Sequence, residues 1–296
     1  MILRYIFILH SLVVTINIIF AENLKSGRYE IIQSWSQENS FPRPFWVRVP
    51  SSMEGRVLPL FIFLHGNGGN AENAQGIVRR YKNVANNYIM VFAQGYQRSW
   101  NIVSERSKAP DREFIEAIVT NLIDYSNVKT GGVVLMGSSN GAALVNQIAI
   151  ETRLNYFSHY ITLVSQLNDW QHDGSFFKAK GNENNYTKSI LPLKGKRLMN
   201  ISGENDKLVP YAGGSSTGIR AKDGKLHFLD AELSTFLWAQ HYGYSGKQLT
   251  QPSEVRDKYD TYSYMNGSVV HYKMKNRAHN AGGGLSEGML SEFLQD

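Results

Sequence analysis

The chain contains no cysteine among its 296 residues. Disulfide bonds, thiolate metal sites and a cysteine nucleophile are therefore excluded. A chain of this length can still bury a large apolar core, so a stable fold needs no cross-links. Hydrophobic residues make up 42% and charged residues 19% of the sequence, a composition typical of a globular protein and not of a disordered one.

Runs of basic residues are also missing, although Lys and Arg outnumber Asp and Glu by 31 to 25. The basic residues are scattered, and no recognition helix, zinc knuckle or basic stretch interleaved with aromatic residues occurs. We therefore interpret the net charge of +6 as surface charge and expect no nucleic-acid partner. The pair His172-Asp173 stands without further clustered ligands, so we expect no metal site and no cofactor.

The first 21 residues contain Arg4, then a mostly apolar stretch to Phe20, then Ala21. This order predicts a secretory signal peptide over residues 1–21, with cleavage after Ala21. An uncleaved membrane anchor is the alternative. Polar residues interrupt the stretch, which makes it short for a stable span of roughly 20 residues. We therefore expect a secreted or periplasmic protein without a stable membrane anchor.

Residues 22–296 show no linker, repeat or low-complexity tract, which favours a single domain. Unbroken apolar runs predict buried strands, and helical patterns lie between them. The Asn266-Gly267 pair predicts a hairpin turn near the end of the chain. The predicted strands are 31–36, 45–49, 58–64, 89–93, 133–136, 160–164, 197–201, 262–265 and 268–274; the predicted helices are 112–125, 142–150, 231–241 and 285–294. This alternation predicts an α/β fold, a mostly parallel sheet with helices on both faces.

The segment from Gly137 to Gly141 fits the pattern G-x-S-x-G, with Ser139 at its centre. In this pattern a sharp strand-to-helix turn lifts the serine Oγ above the sheet, and small residues on either side let strand and helix approach. A predicted buried strand precedes Ser139 and a predicted helix follows it. We therefore predict that Ser139 is a nucleophile; a helix N-cap is the structural alternative.

A glycine-rich loop, LHGNGGN at residues 64–70, directly follows a predicted buried strand. Acyl transfer places negative charge on a carbonyl oxygen, which preorganised backbone N–H groups stabilise. In this type of site one donor follows the nucleophile and the other lies in such a loop. We predict an oxyanion hole formed by Asn140 and Asn67, with Gly66 as the alternative to Asn67. His65 is interpreted as a structural residue that holds the loop.

An acid and a base are expected after the serine, in that order. Asp206 follows the predicted strand at 197–201, where ligand sites of open α/β sheets lie. Glu204 is the nearby alternative. For the base we predict His279, which lies late in the chain in a glycine-rich loop. His279 would accept the Ser139 proton, and Asp206 would fix the tautomer of the imidazole.

Taken together, these motifs resemble the secreted polyhydroxybutyrate depolymerase and feruloyl esterase group of α/β-hydrolases. The resemblance covers residues 43–279 and includes QGYQRSWN at 94–101, GSSNGAAL at 137–144 and NDKLVPYAGG at 205–214. It implies an α/β-hydrolase fold and a serine esterase, with the nucleophile, acid and base at Ser139, Asp206 and His279. It also implies that Trp100 lines the substrate cleft, with a position in the core as the equal alternative.

The sequence departs from this family at two places. Asn280-Ala281-Gly282 follows His279 where relatives often carry Trp and Pro, which leaves the acyl pocket undefined. Residues 166–188 are unlike the family and are aromatic-rich, so they could form a lid or a rim in which Trp170 binds substrate. Packing on the domain surface is the alternative for these aromatics.

The predicted function is hydrolysis of carboxylic esters outside the cytoplasm, either as a feruloyl esterase or as a polyester depolymerase. The expected partner is an ester substrate, with a polysaccharide ester or a polyester as the polymeric candidates. A serine peptidase or acyltransferase on the same fold is one alternative, since fold alone does not fix function. A hydrolase-like binding protein without activity is the other.

Overall fold

The computed structural model describes residues 22–51, 55–181 and 183–295. The predicted signal peptide at 1–21 lies outside the described residues. None of the helices within the described part is long and apolar enough to cross a membrane.

The strands follow the predicted order, with bounds that differ by a few residues. In chain order they are β1 Gly27–Trp35, β2 Glu38–Arg48, β3 Leu60–Leu64, β4 Ile89–Ala93, β5 Val133–Ser138, β6 Phe157–Leu163, β7 Lys178–Ala179, β8 Lys188–Ser189, β9 Arg197–Gly203, β10 Gly214–Ala221, β11 Gly224–Phe228, β12 Glu254–Val255, β13 Tyr259–Tyr264 and β14 Val269–Met274.

The helices lie between the strands, as the alternation predicts. They are α1 Ala71–Ala74, α2 Ile77–Arg80, α3 Lys82–Asn87, α4 Asp111–Leu122, α5 Asn140–Glu151, α6 Ala231–Tyr242 and α7 Glu287–Phe293. Helix α6 shows why the boundaries are readable from sequence. The Asp230 side chain accepts from the Leu233 N–H at its start, and Gly243 at φ 115° ends it.

Ten of the described strands form one sheet, in the order β1-β2-β4-β3-β5-β6-β9-β14-β13-β12. The central pairs from β4 through β14 are parallel, and the pairs at both edges are antiparallel. The predicted mostly parallel sheet is therefore confirmed. The carboxyl ends of β3, β5 and β9 meet at one edge of the sheet, which brings the loops that follow them together.

Alternate residues of the central strands pack into two separate apolar clusters. On β3, Leu60 and Ile62 belong to the cluster that contains α4, α5 and α6, whereas Phe61 belongs to the cluster that contains α3 and α7. Because successive strand residues point to opposite faces, the helices cover both faces of the sheet. Each fully buried aliphatic or aromatic side chain contributes about 1.5–3 kcal/mol to the free energy of unfolding.

The structure also contains elements that the sequence patterns did not predict. Three short helices occupy residues 71–87, and two hairpins, β7–β8 and β10–β11, lie outside the main sheet. His227 lies on β11. The β10–β11 hairpin matters most, because it borders the candidate site.

Candidate active site

Ser139 occupies a strained turn between β5 and α5. Its backbone has φ 53° and ψ −118°, a conformation that side-chain-bearing residues rarely adopt. The surroundings leave no room for larger neighbours. A Cβ at Gly137 would lie 2.3 Å from the Gly141 carbonyl oxygen, and one at Gly141 would lie 2.4 Å from the Leu64 carbonyl oxygen. The two glycines of the motif therefore allow the tight strand-to-helix turn that presents Ser139.

A continuous line of hydrogen bonds joins Ser139, His279 and Asp206. Ser139 Oγ lies 2.8 Å from His279 Nε2, and His279 Nδ1 lies 2.7 Å from Asp206 Oδ2. A carboxylate can only accept, so the imidazole carries its proton on Nδ1 and leaves Nε2 free to accept from the serine hydroxyl. This is the arrangement that a serine nucleophile and its general base require.

Backbone groups hold the Asp206 carboxylate in place. Its second oxygen, Oδ1, accepts from the N–H groups of Leu208 at 2.9 Å and Val209 at 3.0 Å. The side chain is 1% exposed, whereas that of His279 is 26% exposed. The carboxylate is thus fixed beneath the imidazole, and the imidazole faces the open side of the site.

The loops that carry the acid and the base are in direct contact. A Cβ at Gly203 would lie 2.3 Å from the Ala278 carbonyl oxygen, so only glycine allows this approach. The Asn205 N–H donates to the Arg277 carbonyl oxygen at 2.8 Å. Gly203 therefore helps to set the position of His279 although it lies 76 residues earlier in the chain.

Glu204, the alternative acid, points away from the imidazole. Its carboxylate accepts from the Asn276 N–H at 3.1 Å and pairs with Lys273 at 3.3 Å. The hydrogen bond from the Asn276 N–H is the main cause that lowers the pKa of Glu204, and the Lys273 ammonium lowers it further. Asp206, and not Glu204, is the carboxylate that contacts His279.

The glycine-rich loop lies against the Ser139 turn. A Cβ added at Gly66 would lie 3.5 Å from Ser139 Cβ, so the loop runs close to Ser139. Asn67 and Asn140, the predicted oxyanion donors, border the same cavity as Ser139. The Asn140 side chain is also engaged, because it accepts from the Trp100 N–H at 2.7 Å and donates to the Trp100 carbonyl oxygen at 3.1 Å.

His65 holds this loop from below. Its Nε2 accepts from the Gly95 N–H at 3.1 Å, which places the ring proton on Nδ1, 2.8 Å from the Gly66 carbonyl oxygen. Burial lowers the pKa of His65, so the ring stays neutral. These contacts support the structural interpretation of His65.

His271, which we placed in a strand, is fully buried on β14 and hydrogen-bonded to Asn200 and Tyr211. Burial lowers the pKa of His271 to about 3. Both of its ring nitrogens are engaged by these two partners and not by Ser139.

The structure does not place Trp100 and Trp170 in the cavity. Trp100 is fully buried, and its indole N–H donates to the His65 carbonyl oxygen at 2.7 Å, so the ring supports the glycine-rich loop from within the core. Trp170 packs against Tyr186 and the core cluster, and neither it nor Trp100 borders the cavity. The contacts of Trp100 favour the core alternative, and those of Trp170 favour packing on the domain. Residues 97–99, which directly precede Trp100, do border the cavity.

A cavity of about 710 Å³ opens beside Ser139. Its wall is formed by residues 102–106 and by the β10–β11 hairpin, a structure that no sequence pattern predicted. The apolar lining comes from Ile102, Leu208, Val209, Ile219, Leu226 and Phe228. The described residues of 166–188, which we interpreted as a lid or rim, contribute no lining residue, and Lys180, Asn184 and Tyr186 bond to the backbone of residues 101–103.

Buried polar contacts fix the loop 102–106. The Arg43 guanidinium pairs with Asp111 at 2.6 Å, both side chains being fully buried, and Asp111 accepts from the Asn101 N–H at 2.6 Å. The Tyr186 hydroxyl donates to the Ile102 carbonyl oxygen at 2.8 Å. These bonds tie the loop to β2, α4 and the 166–188 segment, so the wall of the cavity is preorganised.

Comparison with known proteins gives the fold its name. The sequence matches no protein-family model, and a search of curated proteins finds no match. Among solved structures, the chain is similar to an acetyl xylan esterase from Aspergillus awamori, with 13% identity, a TM-score of 0.53 and coverage of 86% of this chain and 94% of that one. It is also similar to a thermostable esterase, with 14% identity, a TM-score of 0.54 and coverage of 90% of this chain and 62% of that one.

At such low identity these likenesses establish the fold alone. They agree with the mostly parallel sheet and the helices that cover it. The chain has the α/β-hydrolase fold.

Proposed function

We propose that this protein is a serine hydrolase of carboxylic esters. The observation that carries the proposal is the hydrogen-bonded line from Ser139 Oγ through His279 to Asp206. Three features occur together here: a strained serine backbone, a base on the serine hydroxyl, and a carboxylate behind the base. A structural ion pair or a helix cap does not need this combination.

The geometry supports a double-displacement mechanism. His279 Nε2 takes the proton as Ser139 Oγ attacks the ester carbonyl, and the N–H groups of Asn67 and Asn140 stabilise the resulting oxyanion. His279 then returns the proton to the departing alcohol, which leaves an acyl-serine. Water hydrolyses the acyl-serine with the same base, while Asp206 stabilises the imidazolium.

The cavity supports an ester with a sizeable apolar part. Its volume falls within the roughly 300–1,000 Å³ of small-molecule sites, and its lining is partly apolar. A phenolic ester of cell-wall polysaccharide or a segment of a polyester fits this description. The likeness to a protein titled acetyl xylan esterase adds acetylated polysaccharide to the substrates worth testing.

We further propose that residues 1–21 are a signal peptide and that the protein acts outside the cytoplasm. The chain is tied to the domain from residue 22 onward, because Ser126 N–H donates to the Glu22 carbonyl oxygen and Asn127 bonds both backbone groups of Leu24. N-terminal sequencing of exported protein should give Glu22 as the first residue. A start at Met1 on membrane-bound protein would favour an anchor instead.

Ester turnover is the direct test. Residues 22–296 are incubated with methyl ferulate and, separately, with p-nitrophenyl butyrate. Ser139→Ala serves as the blank, and Ser175→Ala, which changes an exposed serine far from the cavity, is the matched control. We expect turnover by wild type and Ser175→Ala, and none by Ser139→Ala.

The two esters distinguish the substrate classes. Release of ferulate favours phenolic esters, whereas turnover of butyrate alone favours polyesters or acetylated glycans. Failure on both by a folded sample would contradict the proposal and favour a peptidase or a protein without activity.

A further inference from the structure

The polar part of the cavity wall is unusually rich in arginine. Arg98, Arg106 and Arg220 border the cavity, and Glu105 is the carboxylate among them. Charged side chains on a cavity wall select for ligands of complementary charge, so the pairing state of each of these groups decides what the wall can bind.

Arg98 and Glu105 are already engaged by backbone. The Arg98 guanidinium donates to the Gly68 and Gly69 carbonyl oxygens and so helps to shape the glycine-rich loop. Glu105 Oε2 accepts from the N–H groups of Ile102 at 2.8 Å and Val103 at 2.7 Å. Its other oxygen, Oε1, lies 3.4 Å from the Asn140 side-chain amide, so backbone and amide groups engage this carboxylate.

Arg106 and Arg220 are exposed, and neither side chain forms an ion pair or hydrogen bond with any residue of the described part. The segments that carry them are joined, because Ser104 Oγ donates to the Arg220 carbonyl oxygen at 2.7 Å. Two unpaired guanidinium groups therefore stand on one fixed rim that also borders Ser139.

The other charges nearby do not cancel them. On the β10–β11 hairpin, Lys222 donates to the Glu183 carbonyl oxygen, Lys225 is exposed, and Asp223 lies at the turn. The rim thus carries an excess of positive charge, and guanidinium groups bind carboxylate and sulfate through paired hydrogen bonds.

We propose that Arg106 and Arg220 select esters that carry a fixed negative charge, a carboxylate or a sulfate, beside the scissile bond. This inference rests on the proposed ester hydrolysis and adds a substrate class to it. An acidic polysaccharide that bears acyl groups has this chemistry, and so does an aromatic ester with a free carboxylate.

A matched pair of acetate esters tests the proposal. 4-Acetoxybenzoate and its methyl ester share the acetyl group and the aromatic ring, but only the first is charged. Because the two phenols differ in acidity, the measured quantity is the ratio of their kcat/KM values and its change on substitution. 4-Acetoxybenzenesulfonate distinguishes a sulfate-type anion from a carboxylate.

Arg106→Gln and Arg220→Gln are each expected to lower the charged-to-neutral ratio about 3-fold, and the double variant about 10-fold, since exposed charge pairs contribute modestly. Added salt should lower the ratio in wild type and lower it much less in the double variant, in which only the more distant basic residues remain. Arg79→Gln, which removes an exposed arginine of α2 outside this cavity, is the matched control and should keep the wild-type ratio.

A double variant that turns over both esters with the wild-type ratio would overturn this inference and leave the proposed function standing. A folded wild-type enzyme that turns over neither ester, nor p-nitrophenyl butyrate, would overturn the proposed function and this inference with it.

Discussion

Two regions meet at the cavity beside Ser139. Close backbone contacts position Ser139, His279 and Asp206. The wall formed by residues 102–106 and the β10–β11 hairpin instead contributes side chains to the cavity lining. Glycines at 137, 141 and 203 permit the contacts of the first region, and a Cβ at each would overlap a carbonyl oxygen. In the wall, exposed Arg106 and Arg220 and half-buried Ile219 can change without disturbing the backbone. We therefore expect the first region to determine the reaction and the second to determine which substrates enter it.

This difference predicts a graded response to substitution. His279→Ala removes the base and should lower kcat by about 10⁴ to 10⁶, because groups that act as a unit lose nearly the whole effect together. Steady-state kinetics on p-nitrophenyl butyrate measures the loss, and an unchanged melting temperature shows that the fold is intact. A loss below 10-fold would remove His279 from the mechanism.

The acid is expected to matter almost as much as the base. Asp206→Asn keeps the shape but favours the wrong imidazole tautomer, so we expect a loss of about 10³ to 10⁴ in kcat. Glu204→Gln is the matched control, since its carboxylate contacts Lys273 and Asn276 instead of His279. Equal losses in the two variants would refute the assignment of the acid.

Gly203→Ala tests whether backbone contact sets the position of the base. The added methyl group would push the Ala278 carbonyl oxygen, and a shift of about 1 Å in His279 should lower kcat about 100-fold. Gly283→Ala is the control because a Cβ there meets no atom within 4 Å. If both variants keep wild-type kcat, the contact between the two loops does not position the base.

Ile219→Ala should show the smallest effect, as a change in the wall. Loss of apolar contact is expected to raise KM for p-nitrophenyl butyrate about 3- to 10-fold with little change in kcat. A fall in kcat as large as that expected for Gly203→Ala would show that the wall also positions the reacting groups. The two regions would then not have separate roles.

The same division explains what the sequence allowed us to predict. The G-x-S-x-G segment, the glycine-rich loop and the order of acid and base follow from local constraints, and the structure brings Ser139, His279 and Asp206 together. Their catalytic roles stay proposals until the variants are measured. The strands and the longer helices could be predicted from sequence, because buried strands appear as continuous apolar runs whereas helices repeat their apolar residues every three to four positions.

The cavity wall formed by the β10–β11 hairpin could not be predicted from such patterns. Strands β10 and β11 are mostly polar and glycine-rich, and their pairing is irregular between Ser215 and Arg220, so no periodic pattern marks them. Trp100 illustrates the second limit, because an aromatic residue near a site can face either the cleft or the core. Only the tertiary packing, here a bond to His65, decides between the two.

The most direct test of the central claim is covalent labelling of the nucleophile. A fluorophosphonate is incubated with residues 22–296, and peptide mass spectrometry locates the adduct. The structure predicts stoichiometric modification of Ser139, lost in Ser139→Ala and strongly slowed in His279→Ala. Modification of a different residue, or none in a folded sample, would contradict the account of Ser139 as an activated nucleophile.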